Sequence, residues 1–328
     1  MKKIILLLIL GLIGNIASAQ DYSPTIVADS LYSESLENIG GEQPTRTMLV
    51  YLPPGYEENK DKRYPVIYYL HGFTSSDSSN LNWFGTDKKL AFAFENNKIR
   101  PFILVVANQH TLYKGSWYTN SSLTGNWSDF TAIDLVKHID NKYRTIANRD
   151  SRGICGWSMG GHGTIKTAML HPEVFSSAYA LSPAFLAFND KISAFSGVFK
   201  AVQEAQSQED LFKGEFLPIA MVAAGRAFAP NSNNPPFFTD MPFTYEGDSL
   251  ITHYDVLKKW NRQLPFNMLD FYFEDFSKLK AFKIDWGRNE SNANGHIPLL
   301  YIPDAADERQ FLEFAILHTF QVNNYLIS

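Results

Sequence analysis

Apolar residues along the chain fall into short unbroken runs separated by polar, glycine- and proline-containing segments. Val66-Ile-Tyr-Tyr-Leu70 and Phe102-Ile-Leu-Val-Val-Ala107 are apolar throughout, the pattern of parallel strands covered on both faces. Met48–Leu52 reads as a further strand stopped by Pro53 and Pro54, since proline cannot donate to a ladder. Arg152–Trp157, Ala178–Leu181, Ala281–Asp285 and His318–Val322 continue the series. Between them the period lengthens: Ile133, Val136, Ile139 and Tyr143 recur at helical spacing over residues 134–143, and helices are expected over 162–170 and 307–316. Strands alternating with helices predict an α/β protein with a doubly wound, mostly parallel sheet.

The rhythm breaks over about residues 185–280. Pro230, Pro235, Pro236 and Pro242 stand there among Phe237, Phe238, Phe243 and Tyr245. Aromatic content of this kind predicts an ordered insertion, folded over one end of the sheet ahead of the strand that ends at Asp285. Leu250, Tyr254, Leu257 and Trp260 are read as one apolar helical face within it.

The N-terminus adds a different pattern. Met1-Lys2-Lys3 precedes the apolar run Ile4–Ile13 and an Ala17-Ser18-Ala19 site, which reads as a signal peptide over 1–19 and a secreted or periplasmic domain over 20–328. The apolar run is shorter than the roughly 20 residues that span a bilayer, so no membrane partner is expected beyond the signal. The formal net charge is −5 and there is no basic cluster, which argues against nucleic acid. Cys155 is the sole cysteine, so no intrachain disulfide is available. No His or Cys pair has zinc spacing and no phosphate loop is present; neither a metal nor another cofactor is called for.

The candidate chemistry lies in Gly156-Trp157-Ser158-Met159-Gly160. A serine between a buried strand and a helix, framed by glycines, has the setting of a nucleophile elbow. The turn forces a strained backbone on Ser158, and side chains at positions 156 or 160 would collide across it. Leu70-His71-Gly72-Phe73 ends an earlier strand, so the N–H groups of Phe73 and Met159 form a candidate oxyanion hole.

At this point the residues resemble the esterase D-like esterase family, which includes feruloyl and acetyl-xylan esterases, S-formylglutathione hydrolases and mycolyltransferases. The likeness rests on Arg63–Phe73, Trp117-Tyr-Thr-Asn120, Thr124–Phe130, Ser151–Ile154, Gly156–Gly161, His171–Phe175, Leu181-Ser-Pro183 and Asp285–Glu290. It implies an α/β-hydrolase fold and a serine, acid and histidine triad in that chain order. Ser158 falls on the nucleophile and Glu290 on the acid, with Asp285 as the rival.

The family's histidine follows the last strand, but here Val322 is followed by Asn323-Asn-Tyr-Leu-Ile-Ser328. A serine hydroxyl without a base is a poor nucleophile, so activity is expected to be impaired unless His296, His318 or His162 substitutes. A C-terminal truncation, rescue by another histidine, and a degenerate hydrolase that binds esters or glycans without cleaving them are the three readings of the gap. Truncation is preferred, because the likeness runs through Phe320–Val322 and then stops. Trp117, Tyr118, Trp127 and the Phe237–Phe238 pair are candidate walls for a planar acyl group or a sugar ring. A secreted serine carboxylesterase acting on small-molecule or carbohydrate-linked acyl esters is therefore expected. A siderophore esterase or an acyltransferase ranks below it.

Overall fold

The structure is a computed structural model that describes residues 22–79, 85–188, 193–194 and 197–286. The segment read as a signal peptide, Glu290, His296, His318, and the helix and strand expected beyond residue 300 lie outside the described residues.

Among the described residues a seven-stranded sheet runs in the order β1-β2-β4-β3-β7-β8-β11. Its members are β1 (Thr25–Tyr32), β2 (Thr45–Leu52), β3 (Val66–Leu70), β4 (Ile103–Ala107), β7 (Arg152–Trp157), β8 (Ser177–Leu181) and β11 (Ala281–Asp285). β1 pairs antiparallel with β2, and β2 antiparallel with β4. The remaining pairs, from β4 through β3, β7 and β8 to β11, are parallel. The two remaining small pairings are β5 (Asn120–Ser121) with β6 (Gly125–Asn126), and β9 (Phe243–Glu246) with β10 (Ser249–Thr252).

The unbroken apolar runs have the cause inferred for them. Val66, Tyr68, Leu70, Ile103, Val105 and Ile154 point into one core. Their neighbours Ile67, Tyr69, Leu104, Val106 and Cys155 point into another, with Leu90 and Phe94 of α1 (Thr86–Glu95). The helical turn α2 (Trp127–Asp129) leads through a wider turn into α3 (Leu135–Lys142), which buries Leu135, Val136 and Ile139. α4 (Met159–Leu170) is buried at all but its last residue. It is flanked by α9 (Pro265–Phe276), where Met268 meets Ile165 and Met169.

The insertion is helical where the sequence pattern is least regular. α5 (Val198–Glu204), α6 (Gln208–Lys213), α7 (Phe216–Phe228) and α8 (Tyr254–Asn261) carry it. α7 has ten of its residues from Pro218 to Phe228 buried, so it reads as apolar all round and shows no amphipathic stripe. One expectation is corrected: Leu250 belongs to β10, not to a helical face with Tyr254, Leu257 and Trp260. Gly247 turns the chain at φ 61° between β9 and β10, and the helix starts only at Tyr254, which is 78% exposed. Trp260, by contrast, is fully buried.

β3 sends the chain toward β4 on one side, whereas β7 sends it toward β8 on the other. Such a switch point opens a crevice at the C-terminal edge of a parallel sheet. Leu70 and Gly156 lie in register there, which brings His71-Gly72-Phe73 and Ser158 to the same edge.

Candidate active site

Ser158 sits between β7 and α4 at φ 57°, ψ −117°. This is a left-handed conformation that costs a residue with a side chain roughly 1–3 kcal/mol. Tertiary contacts hold it there. Its N–H donates to Leu181 O at 3.0 Å, and its carbonyl accepts from Ala184 N–H at 2.9 Å and His162 N–H at 3.0 Å. The flanking glycines are steric necessities: a Cβ on Gly160 would lie 1.8 Å from Leu70 O, and one on Gly156 would lie 2.5 Å from the Gly160 carbonyl. β3, the elbow and α4 are thus in backbone contact, which fixes where the serine points. Among the described residues no side chain is hydrogen-bonded to its Oγ.

Met159 is the first residue of α4, so its N–H is one of those a helix leaves unbonded. Phe73 meets it at Gly115, where an added Cβ would fall 2.4 Å from Met159 Sδ and 2.6 Å from the Phe73 ring. The loop carrying Phe73 is pinned from both sides. Thr74 N–H donates to Lys114 O at 3.0 Å, and Tyr118 Oη–H donates to His71 O at 2.8 Å. His71 Nε2 accepts from Gln109 N–H at 2.8 Å, so its remaining nitrogen carries the proton toward Gly72 O at 2.9 Å. Burial pushes this imidazole down to about 4, so it stays neutral and structural.

His162 is brought close to Ser158 in the fold but is committed elsewhere. Its Nδ1 lies 3.2 Å from both Ala184 O and Phe185 O, two acceptors that require the proton there. The ring packs edge-on to Trp117 at 5.2 Å and parallel to Phe228 at 6.2 Å. It is fully buried, with Nε2 unpartnered among the described residues, and burial followed by the nearby Lys166 cation lowers its pKa to about 3. A base must take up a proton near neutral pH; His162 does not, and as a candidate base it is corrected to a clamp between α4 and the loop after β8.

Beneath it Lys166 is also buried, with Nζ 2.7 Å from Thr119 Oγ1 and 2.6 Å from Gln263 Oε1. Burial lowers its pKa to about 7. Thr119 Oγ1 in turn donates to Trp117 O at 2.7 Å, bracing the left-handed pair Trp117 and Tyr118 at φ 51° and 50°. Sequence reasoning missed this lysine, because a lone Lys in a helix carries no spacing signal.

Asp285 ends β11 at the same sheet edge, beside Leu181. Its Oδ2 accepts from Tyr179 Oη–H at 2.5 Å and faces Lys283 Nζ at 3.0 Å, while its buried Oδ1 has no hydrogen-bond partner among the described residues.

The aromatic candidates divide. Trp117 lies against Phe73 at 6.2 Å. Tyr118 and Trp127 are fully buried, and their polar atoms bond to His71 O and Thr124 O. Those two are corrected from substrate walls to core residues: large aromatics with one polar tip fit where a backbone carbonyl awaits them. Phe237 is buried and Phe238 is 39% exposed.

The family model described as "Putative esterase" matches residues 42–213, just over half of the chain, including the elbow and the oxyanion loop. The chain belongs to this family. An esterase of Mycobacterium tuberculosis is 34% identical over 143 residues, covering 42% of this chain and 29% of that protein. The endo-1,4-beta-xylanase/feruloyl esterase of Xylanibacter ruminicola is 34% identical over 145 residues, 40% of this chain and 18% of that protein. The S-formylglutathione hydrolase of Paracoccus denitrificans is 26% identical over 42% of this chain and 51% of its own length. The match therefore spans about half or less of these relatives. Among solved structures, a ferulic acid esterase superposes with a TM-score of 0.54 at 18% identity, over 92% of this chain and 99% of that one. The S-formylglutathione hydrolase from Agrobacterium tumefaciens gives 0.51 at 16% identity, over 92% and 85%. These likenesses establish the fold: the chain has the α/β-hydrolase architecture.

Proposed function

We propose that the chain is a secreted or periplasmic serine esterase that cleaves carbohydrate-linked acyl esters of the feruloyl or acetyl kind. The observation that carries this reading is Ser158 held at φ 57° at the head of α4. Nothing in a purely structural turn demands a non-glycine residue in that conformation. Ser158 Oγ attacks the acyl carbonyl and loses its proton to a histidine; the N–H groups of Phe73 and Met159 stabilise the oxyanion, and collapse expels the alcohol as that proton passes to it. Water then releases the acid by the same steps in reverse order. Glu290 is assigned as the acid, with Asp285 as the alternative, whose Oδ1 has no hydrogen-bond partner among the described residues. With His162 committed to Ala184 and Phe185, His296 and His318 remain as candidate substitutes for the family's C-terminal histidine, and turnover is expected to be impaired if neither serves. The feruloyl esterase among the relatives supports the acyl-carbohydrate substrate class, and the N-terminal pattern supports export.

A second reading, an ester- or glycan-binding protein without turnover, is favoured by one observation: among the described residues no imidazole bonds to Ser158 Oγ. Labelling by a fluorophosphonate probe separates the two. The esterase reading expects rapid labelling that Ser158→Ala abolishes and that His296→Ala or His318→Ala slows. Labelling no faster than in Ser158→Ala would leave the binding protein.

A further inference from the structure

Lys166 lies about two turns beyond Ser158 on α4 and is 1% exposed. Burial disfavours an ammonium there, and an aliphatic side chain would fill the same space without that cost. The contacts of its nitrogen show what the cost maintains. Nζ donates to Thr119 Oγ1 at 2.7 Å and to Gln263 Oε1 at 2.6 Å, between α8 and α9, and it stands 5.2 Å from the centre of the Phe228 ring at the end of α7. One buried amine therefore joins the elbow helix to two parts of the insertion and to the segment around Trp117.

The Thr119 contact leads back to the candidate oxyanion hole. Thr119 Oγ1 accepts from the amine and donates its own proton to Trp117 O at 2.7 Å. That bond restrains Trp117 and Tyr118 in the left-handed region, which bulky side chains occupy only where their surroundings impose it. Held so, Tyr118 Oη–H donates to His71 O at 2.8 Å, and the Trp117 ring lies 6.2 Å from that of Phe73. Tyr118 also rests on α4 itself: a Cβ on Gly163 would fall 2.3 Å from Tyr118 Cδ2. Gly163 and Lys166, one turn apart, share a face of the helix. The helix that begins at Met159 thus grips residues 117–119 at two points, and these residues grip the loop that carries Phe73.

We propose that Lys166 is a positioning residue for ester cleavage, one that sets the Phe73 N–H against the Met159 N–H through Thr119, Trp117 and Tyr118. The proposal rests on the esterase reading for its consequence. Lys166→Met and Thr119→Val each remove the tie, while Thr119→Ser retains the hydroxyl. In the full protein at pH 7, fluorophosphonate labelling of Ser158 and hydrolysis of p-nitrophenyl acetate are followed beside urea denaturation, and amide exchange is measured over residues 71–75. Labelling and kcat are expected to fall about tenfold or more in Lys166→Met and Thr119→Val with KM little changed, the pattern of a misplaced oxyanion donor. Thr119→Ser should stay within about twofold of the parent, since its hydroxyl makes both bonds. Exchange over 71–75 should quicken in the two slowed proteins. Lys166→Met should be slower yet no less stable than the parent, which separates positioning from a merely structural role. Parental rates in Lys166→Met, a rise in KM alone, or a Thr119→Ser as slow as Thr119→Val would each overturn the proposal. If Ser158 of the parent does not label, the esterase reading falls and exchange decides the tie: no change over 71–75 in Lys166→Met would overturn it.

Discussion

Replacing Lys166 with methionine tests whether the buried amine beneath the elbow is a cost that the fold carries. Its pKa is lowered to about 7 from 10.5 because burial disfavours the charged form, although Thr119 and Gln263 both accept from it. Between those two values the unfolded chain binds a proton that the folded one releases. Stability from this group is therefore full above the unfolded value and is lost as pH falls through 10.5 toward 7; below 7 the loss is constant. A difference of this size corresponds to about 5 kcal/mol. Methionine keeps the length of the side chain and removes that penalty, but leaves Gln263 Oε1 without its donor, at about 1–3 kcal/mol. Lys166→Met should thus be more stable than the parent at pH 6, and that advantage should shrink by about 3 kcal/mol by pH 9.5. Urea denaturation of both proteins at the two pH values gives the double difference, in which titrating groups not coupled to Lys166 cancel; His162, the group its charge acts on, stays neutral in the folded protein at both. A difference that changes by less than about 1 kcal/mol would refute the placement of a desolvated ammonium at this site.

The other expectations follow from the same neighbourhood. His162, pushed down to about 3 by burial, contributes stability that is present above its ordinary value and lost as pH falls from 6.5 toward 3. His162→Asn, which retains a donor for Ala184 O but does not titrate, should lose about 2–3 kcal/mol less than the parent between pH 6 and 4 in denaturant titrations. Gly160→Ala must separate its Cβ from Leu70 O, at 1.8 Å. Both partners are backbone, so a loss above about 3 kcal/mol and a sharply lowered Tm are expected, whereas Gly85→Ala, facing open space at φ 58°, should cost about 1 kcal/mol. Ser158→Gly should melt above Ser158→Ala by about 1 kcal/mol of stability, since glycine alone relieves the left-handed strain; equal Tm values would show that the elbow is unstrained.

Sequence by itself determined the elements whose burial is two-sided or whose chemistry is local. Continuous runs such as Val66–Leu70 can be satisfied only between two helical layers, and Gly156-x-Ser158-x-Gly160 permits only a turn too tight for side chains; both are properties of a few consecutive residues. The tertiary structure decided what depends on partners distant in the chain. α7 lacked a stripe because every face of it is covered. Leu250 matched a helical period, yet a left-handed Gly247 turned it into a strand. Tyr118 and Trp127 looked like aromatic walls until the carbonyls of His71 and Thr124 claimed their polar tips. His162 stood at the right distance along the helix to serve as a base, but two carbonyls from the loop after β8 fix its proton on Nδ1. A side chain's protonation and direction are set by the groups that surround it in space, and linear order does not specify those groups.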